Sequence, residues 1–199
     1  SNWHWNTWND FPYLTCELLH PIPHGFFTQQ CWPHTPEHLV SAVCPSPPSD
    51  NSPVPSVHRV KQVHGNRVLA ASEAALDVPP EPGLQEADGL VADRCNQAVW
   101  VATADCVPAL IADIATGTVA AVHAGWRGTA EQIVPVAIQA LLQRGSQLTD
   151  LRIALGPAID GAVYQVSTTV AAQVGATVLP TALPTEKLDT PPAGEMDRE

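Results

Sequence analysis

Long apolar runs fill the middle of the chain: AVWVAT (98–103), VPALIA (107–112) and TVAAVH (118–123) contain almost no polar residue. Such runs mark strands covered on both faces, since a sheet with one wet side alternates apolar and polar positions. Shorter runs predict further strands over 13–19, 57–63, 68–71, 89–92 and 151–155. Beyond 123 the period changes. Thr129 stands at capping-box spacing from Gln132, and Ile133, Val136, Ala137, Ala140 and Leu141 fall on one helical face before Gly145 ends it. Pro135 lies inside that pattern and predicts a kink or a later start. A second, shorter helix is predicted over 167–174, capped by Ser167. Strands, then helix, then strand, with no internal repeat, predict a mixed α/β (α+β) layered sandwich: one domain around a central, mostly buried sheet.

Composition narrows this picture. With 199 residues, 45% of them hydrophobic, the chain can bury one sizeable core but is short for two. Its 20 prolines gather in 45–55, 79–82 and 180–192, where missing N–H groups oppose helix and central strand alike. These runs are expected to be loops. The folded domain is expected over 1–176, followed by a proline-rich mobile tail or linker over 177–199. A net charge of -11 disfavours nucleic acid or an anionic membrane as partner. No run is long enough to span a membrane, the N-terminus lacks the pattern of a signal peptide, and the five cysteines form no CxxC pair. A cytoplasmic protein with reduced thiols is expected.

Candidate chemistry sits where strands meet turns. His64 closes RVKQVHG, Cys106 follows TAD, and His123 closes TVAAVH; one cysteine and two histidines form a zinc set that keeps a fourth position open. The same residues also read as a small buried hydrophobe and two imidazoles bonded to backbone carbonyls, and spacing alone leaves both readings standing. Asp88 and Asp105 each suit orientation of a ligand imidazole or general acid–base work, and Asp88 equally suits a turn or cap. Gln62, two residues before His64, would share its sheet face in a regular strand and offer an amide to a polar ligand. Arg127, flanked by Gly125 and Gly128 in HAGWRG, combines a guanidinium fork with accessible backbone amides and so suits a phosphate or carboxylate. Lys61 and Arg67 read as surface charges.

Five segments carry a family likeness: KQVHGNRV (61–68), EADGLVAD (86–93), TADCVPALIAD (103–113), AAVHAGWRGTA (120–130) and LGPAI (155–159). In order and spacing they resemble the laccase-like multicopper polyphenol oxidase family of YfiH/YlmD-like and laccase domain-containing proteins, regarded as zinc-dependent purine nucleoside phosphorylases. The resemblance implies an α/β sandwich with one zinc on His64, Cys106 and His123. It implies phosphorolysis of adenosine, and of inosine, guanosine and methylthioadenosine, to free base and ribose 1-phosphate or its methylthio analogue. Adenosine deamination is implied as a second reaction, with Asp105 or a nearby acid moving the proton. In phosphorolysis, Arg127 and the amides of 125–128 would hold phosphate.

Two other readings accompany it. A copper-dependent polyphenol oxidase would need many histidines in close, repeated spacing, whereas those at 4, 20, 24, 34, 38 and 58 lie in the irregular N-terminal third. A zinc-stabilised binding module without turnover is the other. The chain departs from the family pattern at Gln29, where members carry Arg, and at Ala158, in place of a cysteine. Members also continue with a further strand, a helix and an FFSYRR-like motif, so the domain is expected to be C-terminally incomplete.

Overall fold

The computed structural model describes residues 2–44, 54–74 and 83–178. In chain order the N-terminal part forms β1 (Trp3–Trp8), β2 (Phe11–Cys16), β3 (Phe26–Phe27) and α1 (Pro36–Val43). Next come β4 (Ser56–His58), β5 (Val68–Ala70), β6 (Gly89–Val91), β7 (Gln97–Val99), β8 (Val107–Asp113) and β9 (Val119–Ala124). Helices α2 (Trp126–Ala130) and α3 (Ile133–Leu142), strand β10 (Leu151–Leu155) and helix α4 (Thr168–Gly175) follow.

A five-stranded sheet in the order β10-β8-β9-β6-β5 forms the centre, antiparallel except where β5 meets β6. Successive side chains of a strand face opposite ways. Ala109, Ile111, Ala120 and Val122 therefore pack with Ile133, Ala137 and Leu141 of α3, while Ala112, with Leu110 and Val119, packs with Cys16, Leu19 and Phe26 on the other side. The latter belong to or adjoin the three-stranded sheet β1-β2-β3. The runs at 107–112 and 118–123 are thus covered on both faces, as their composition predicts, whereas 98–103 lies outside the central sheet and is half-buried to exposed. A smaller parallel pair, β4-β7, lies apart from the central sheet.

The sequence-predicted elements differ from the observed ones for identifiable reasons. The strand expected over 57–63 stops at His58, leaving 59–67 as a loop with a single bridge, Lys61 to Glu86. That expected over 98–103 stops at Val99, and β2 ends at Cys16 in a short 3₁₀ turn, Glu17–Leu19. The first predicted helix begins earlier and is broken. Gly125, not Thr129, is the N-cap of α2, and Gln132 at φ +63° separates it from α3. Pro135 explains the break, because its ring would collide with the carbonyl of residue 131 in a continuous helix. Restarting at Ile133 puts Pro135 in a first turn, where no N–H is needed.

Ser167 caps α4, its hydroxyl accepting the Val170 N–H at 3.3 Å. Strand β1, which forms a hairpin with the expected β2, and helix α1 are additions. Their signals are Asn9-Asp10, both at positive φ in the turn, and Thr35-Pro36, a cap followed by proline at N1. Among the described residues no helix is long and apolar enough to cross a membrane. Of the proline-rich runs, 45–53, 79–82 and 180–192 lie outside the described residues, as does the tail from 179.

Candidate metal centre

Strand register assembles the site. Cys106 immediately precedes β8 and His123 is the penultimate residue of β9, and the antiparallel pairing sets Val107 opposite Ala124 and Pro108 opposite His123. One strand's start therefore lies beside the other's end. Asp88 immediately precedes β6, whose Gly89 pairs with Val122, and the His123 N–H donates to the Asp88 carbonyl at 2.7 Å. His64 arrives from the loop 59–67 at φ +62°, a left-handed conformation uncommon for a residue with a side chain. One donor atom each from His64, Cys106 and His123 then lies within 4.8 Å of the others. The two imidazoles meet edge to face, with centroids 4.7 Å apart.

Asp88 holds much of this in place. It is 0% exposed, and its Oδ1 accepts Nδ1–H of His123 at 2.8 Å and the His64 N–H at 2.9 Å. Oδ2 accepts the N–H groups of Val63 and Gly65 at 3.2 and 2.8 Å. Burial alone would push this carboxyl up. The bonds from His123 and from the amides of Gly65, Val63 and His64 outweigh it and hold the group below its ordinary value. With Nδ1 committed to Asp88, His123 has Nε2 left to offer a metal. Asp88 thus acts both as an imidazole partner and as a loop-capping carboxylate.

Other residues seat the His64 loop. Gly128 brings α2 so close that a Cβ there would stand 2.6 Å from the Gly65 carbonyl oxygen. Asn66 donates to the carbonyl of Glu131 at 3.0 Å, serving a helix end that the break before α3 leaves open. Gly125 packs against the donors themselves: a Cβ would lie 3.1 Å from His64 Cδ2 and 3.2 Å from Cys106 Sγ. Both glycines of the HAGWRG turn are therefore taken up by close packing.

The remaining predicted residues are placed as follows. Gln62 donates to the Ala102 carbonyl and accepts the Ala102 N–H, both at 2.7 Å, so its amide braces the Cys106 loop against the His64 loop. Sequence reasoning missed this brace, which exists only because 59–67 leaves strand geometry. Asp105 is exposed beside Cys106, its backbone carbonyl accepting the Ile159 N–H at 3.0 Å. The residue borders an apolar groove with Thr103, Pro108 and Trp100. The Arg127 guanidinium lies 4.6 Å from the Trp126 ring centre, in a separate depression with Glu131 and Gln173. None of the three donors lines that depression.

Two imidazoles and a thiolate suit a tetrahedral metal with one open position, whose donor separations are roughly 3.3–3.8 Å. The observed cluster needs to close by only about 1 Å to reach them. The Cys106 thiol is pushed up by burial and then by the carboxylates of Asp105 and Asp88, so at neutral pH it carries its proton. A metal must displace that proton. Metal affinity is therefore expected to rise about tenfold per pH unit between roughly pH 7 and 8, measurable by zinc competition with a chelator. A flat profile would rule out thiolate ligation.

Residues 50–192 match the family described as multi-copper polyphenol oxidoreductase laccase. A protein of Synechocystis sp. named purine nucleoside phosphorylase is 48% identical over 177 residues, covering 88% of this chain and 64% of that protein. An adenosine deaminase, RL5, from an unknown prokaryotic organism is 36% identical over 102 residues, or 50% of this chain and 39% of that one. Among solved structures, YlmD from Geobacillus stearothermophilus superposes with a TM-score of 0.59 at 26% identity, covering 69% of this chain and 53% of YlmD. The chain thus spans less than two-thirds of the length of each of these three relatives.

Proposed function

Because this chain belongs to the multi-copper polyphenol oxidoreductase laccase family, we propose that it is a zinc-dependent purine nucleoside phosphorylase. It converts adenosine, and also inosine, guanosine and methylthioadenosine, with phosphate into free base and ribose 1-phosphate or its methylthio analogue, and deaminates adenosine in a second reaction. The observation that carries the proposal is the convergence of His64, Cys106 and His123 within 4.8 Å, together with relatives named for these two activities.

His64, Cys106 and His123 would hold the zinc, which would supply Lewis-acid chemistry there. Asp88 keeps His123 in the tautomer that leaves Nε2 free, and Gln62 holds the Cys106 loop in register with His64. Asp105, exposed at the rim next to Cys106, is the acid able to exchange a proton with the purine. Arg127 supplies the positive charge for phosphate in a strongly acidic protein. Gln62 contributes to substrate binding by positioning rather than by contact, since both ends of its amide are engaged with Ala102.

Copper is the runner-up metal, since two histidines and a cysteine also suit that ion. Among the described residues only this one three-ligand grouping occurs, and a multicopper oxidase needs several.

Incubation of metal-analysed protein with adenosine, with and without phosphate, tests the proposal by chromatography. Adenine formed only with phosphate supports phosphorolysis. Inosine alone identifies a deaminase, phenol oxidation by copper-loaded protein an oxidase, and stoichiometric zinc with no product a binding module. Arg127→Ala is expected to raise the phosphate KM about tenfold or more, the loss of one charge-assisted contact, with zinc content unchanged. A KM equal to that of the parent would remove Arg127 from this role.

A further inference from the structure

Asp88 lies outside the three-donor set, yet it touches the supports of two donors at once. Its four recorded partners are all N–H groups: the His123 ring, and the amides of Val63, His64 and Gly65. Only an acceptor with lone pairs on both oxygens satisfies them all, and a carboxylate is the side chain of this size that provides it. An asparagine of the same shape cannot. In one orientation its NH₂ would face the Val63 and Gly65 amides; in the other it would face the His64 amide and the His123 ring. The imidazole could relieve that clash only by moving its proton to Nε2, the nitrogen a metal would use.

Resting on the metal-centre reading above, we infer that Asp88 is the positioning residue that couples the tautomer of His123 to the placement of His64. One carboxylate selects which nitrogen His123 presents, and through three consecutive amides it holds His64 in its left-handed conformation. The two histidines are 59 residues apart in sequence and, among the described residues, no other side chain is hydrogen-bonded to both, so the carboxylate makes them one preassembled unit. Such a unit is ready before any metal arrives. Its signatures therefore belong to the metal-free protein.

Nitrogen-15 histidine spectra and amide exchange of the metal-free chain test this, alongside zinc affinity of Asp88→Asn measured by chelator competition. Expected are an Nδ1–H tautomer for His123 and slow exchange at His64 and Gly65, although the His64 loop is at the surface. In Asp88→Asn the ring is expected to shift toward Nε2–H and zinc affinity to fall about 10- to 100-fold. A purely structural role would lower the melting temperature but leave tautomer and affinity of the folded variant unchanged. An Nε2–H tautomer in the parent, fast exchange at both amides, or zinc affinity in folded Asp88→Asn within twofold of the parent would overturn the inference. If Asp88→Asn does not fold, the two measurements on the parent decide it. Failure of the parent to bind zinc would instead sink the metal-centre reading, which the metal-free spectra do not depend on.

Discussion

Cys106→Ala is expected to leave a folded chain that no longer carries stoichiometric zinc. The sulfur is the only soft donor in the grouping, and two imidazoles alone make a weak site. If the three ligands share a binding free energy of roughly 10–16 kcal/mol, removing one weakens affinity by about 3–5 kcal/mol, or roughly 200- to 7,000-fold. The fold is expected to survive because Cys106 is half-buried at the mouth of β8 and belongs to neither of the apolar clusters that flank the central sheet. Elemental analysis of the purified variant, with circular dichroism to verify the fold, gives the readout. Full zinc occupancy in Cys106→Ala would remove the thiol from the ligand set. Phosphorolysis should fall with the metal, while a chain that lost zinc but kept turnover would break the link between centre and activity.

Gly128→Ala is expected to have the second-largest effect, through the backbone. A methyl at this position would stand 2.6 Å from the Gly65 carbonyl oxygen, a contact with main chain rather than with a side chain able to swing away. Either α2 or the 63–67 loop must retreat. Overpacking of this kind costs about 1–3 kcal/mol, and for a chain of this length that lowers the melting temperature by roughly 3–10 °C. Moving the loop also moves His64, so zinc affinity should fall with stability. Gly161→Ala is the matched control, having no heavy atom within 4 Å of its would-be Cβ and no positive φ; it should be nearly neutral. Equal melting temperatures and zinc affinities for the two variants would show that the loop does not rest on α2.

What could be read from the residues depended on how local the cause was. The runs at 107–112 and 118–123 announce buried strands because both faces are apolar, and Cys106 and His123 stand out because each borders such a run. His64 was legible as a turn residue but not as one in left-handed backbone, a conformation held by a carboxylate 24 residues away. Asp88 was visible in EADG with either of two roles, and the structure gives it both. A regular strand over 57–63 would offer the Gln62 amide to a ligand, whereas the segment bends and engages that amide with Ala102. The helix break was half legible: Pro135 signals it, but the restart at Ile133 depends on Gln132 accepting positive φ. Glycines in a turn suggest open backbone amides for an anion, while the tight contacts of Gly125 and Gly128 make them seats for the donor loops.

The pairing of Pro108 with His123 also bears on how the chain folds. In a two-residue repeat, sliding β9 past β8 by one position would turn His123 to the opposite face and aim Val122 or Ala124 at the cluster. A chain misassembled in that way would keep its strand content, and circular dichroism would barely distinguish it from the native one. It could not hold the metal. On the proposed ligand set, zinc uptake would therefore gauge strand alignment, sorting correctly threaded molecules from slipped ones in a refolded preparation where spectra of secondary structure would count both alike.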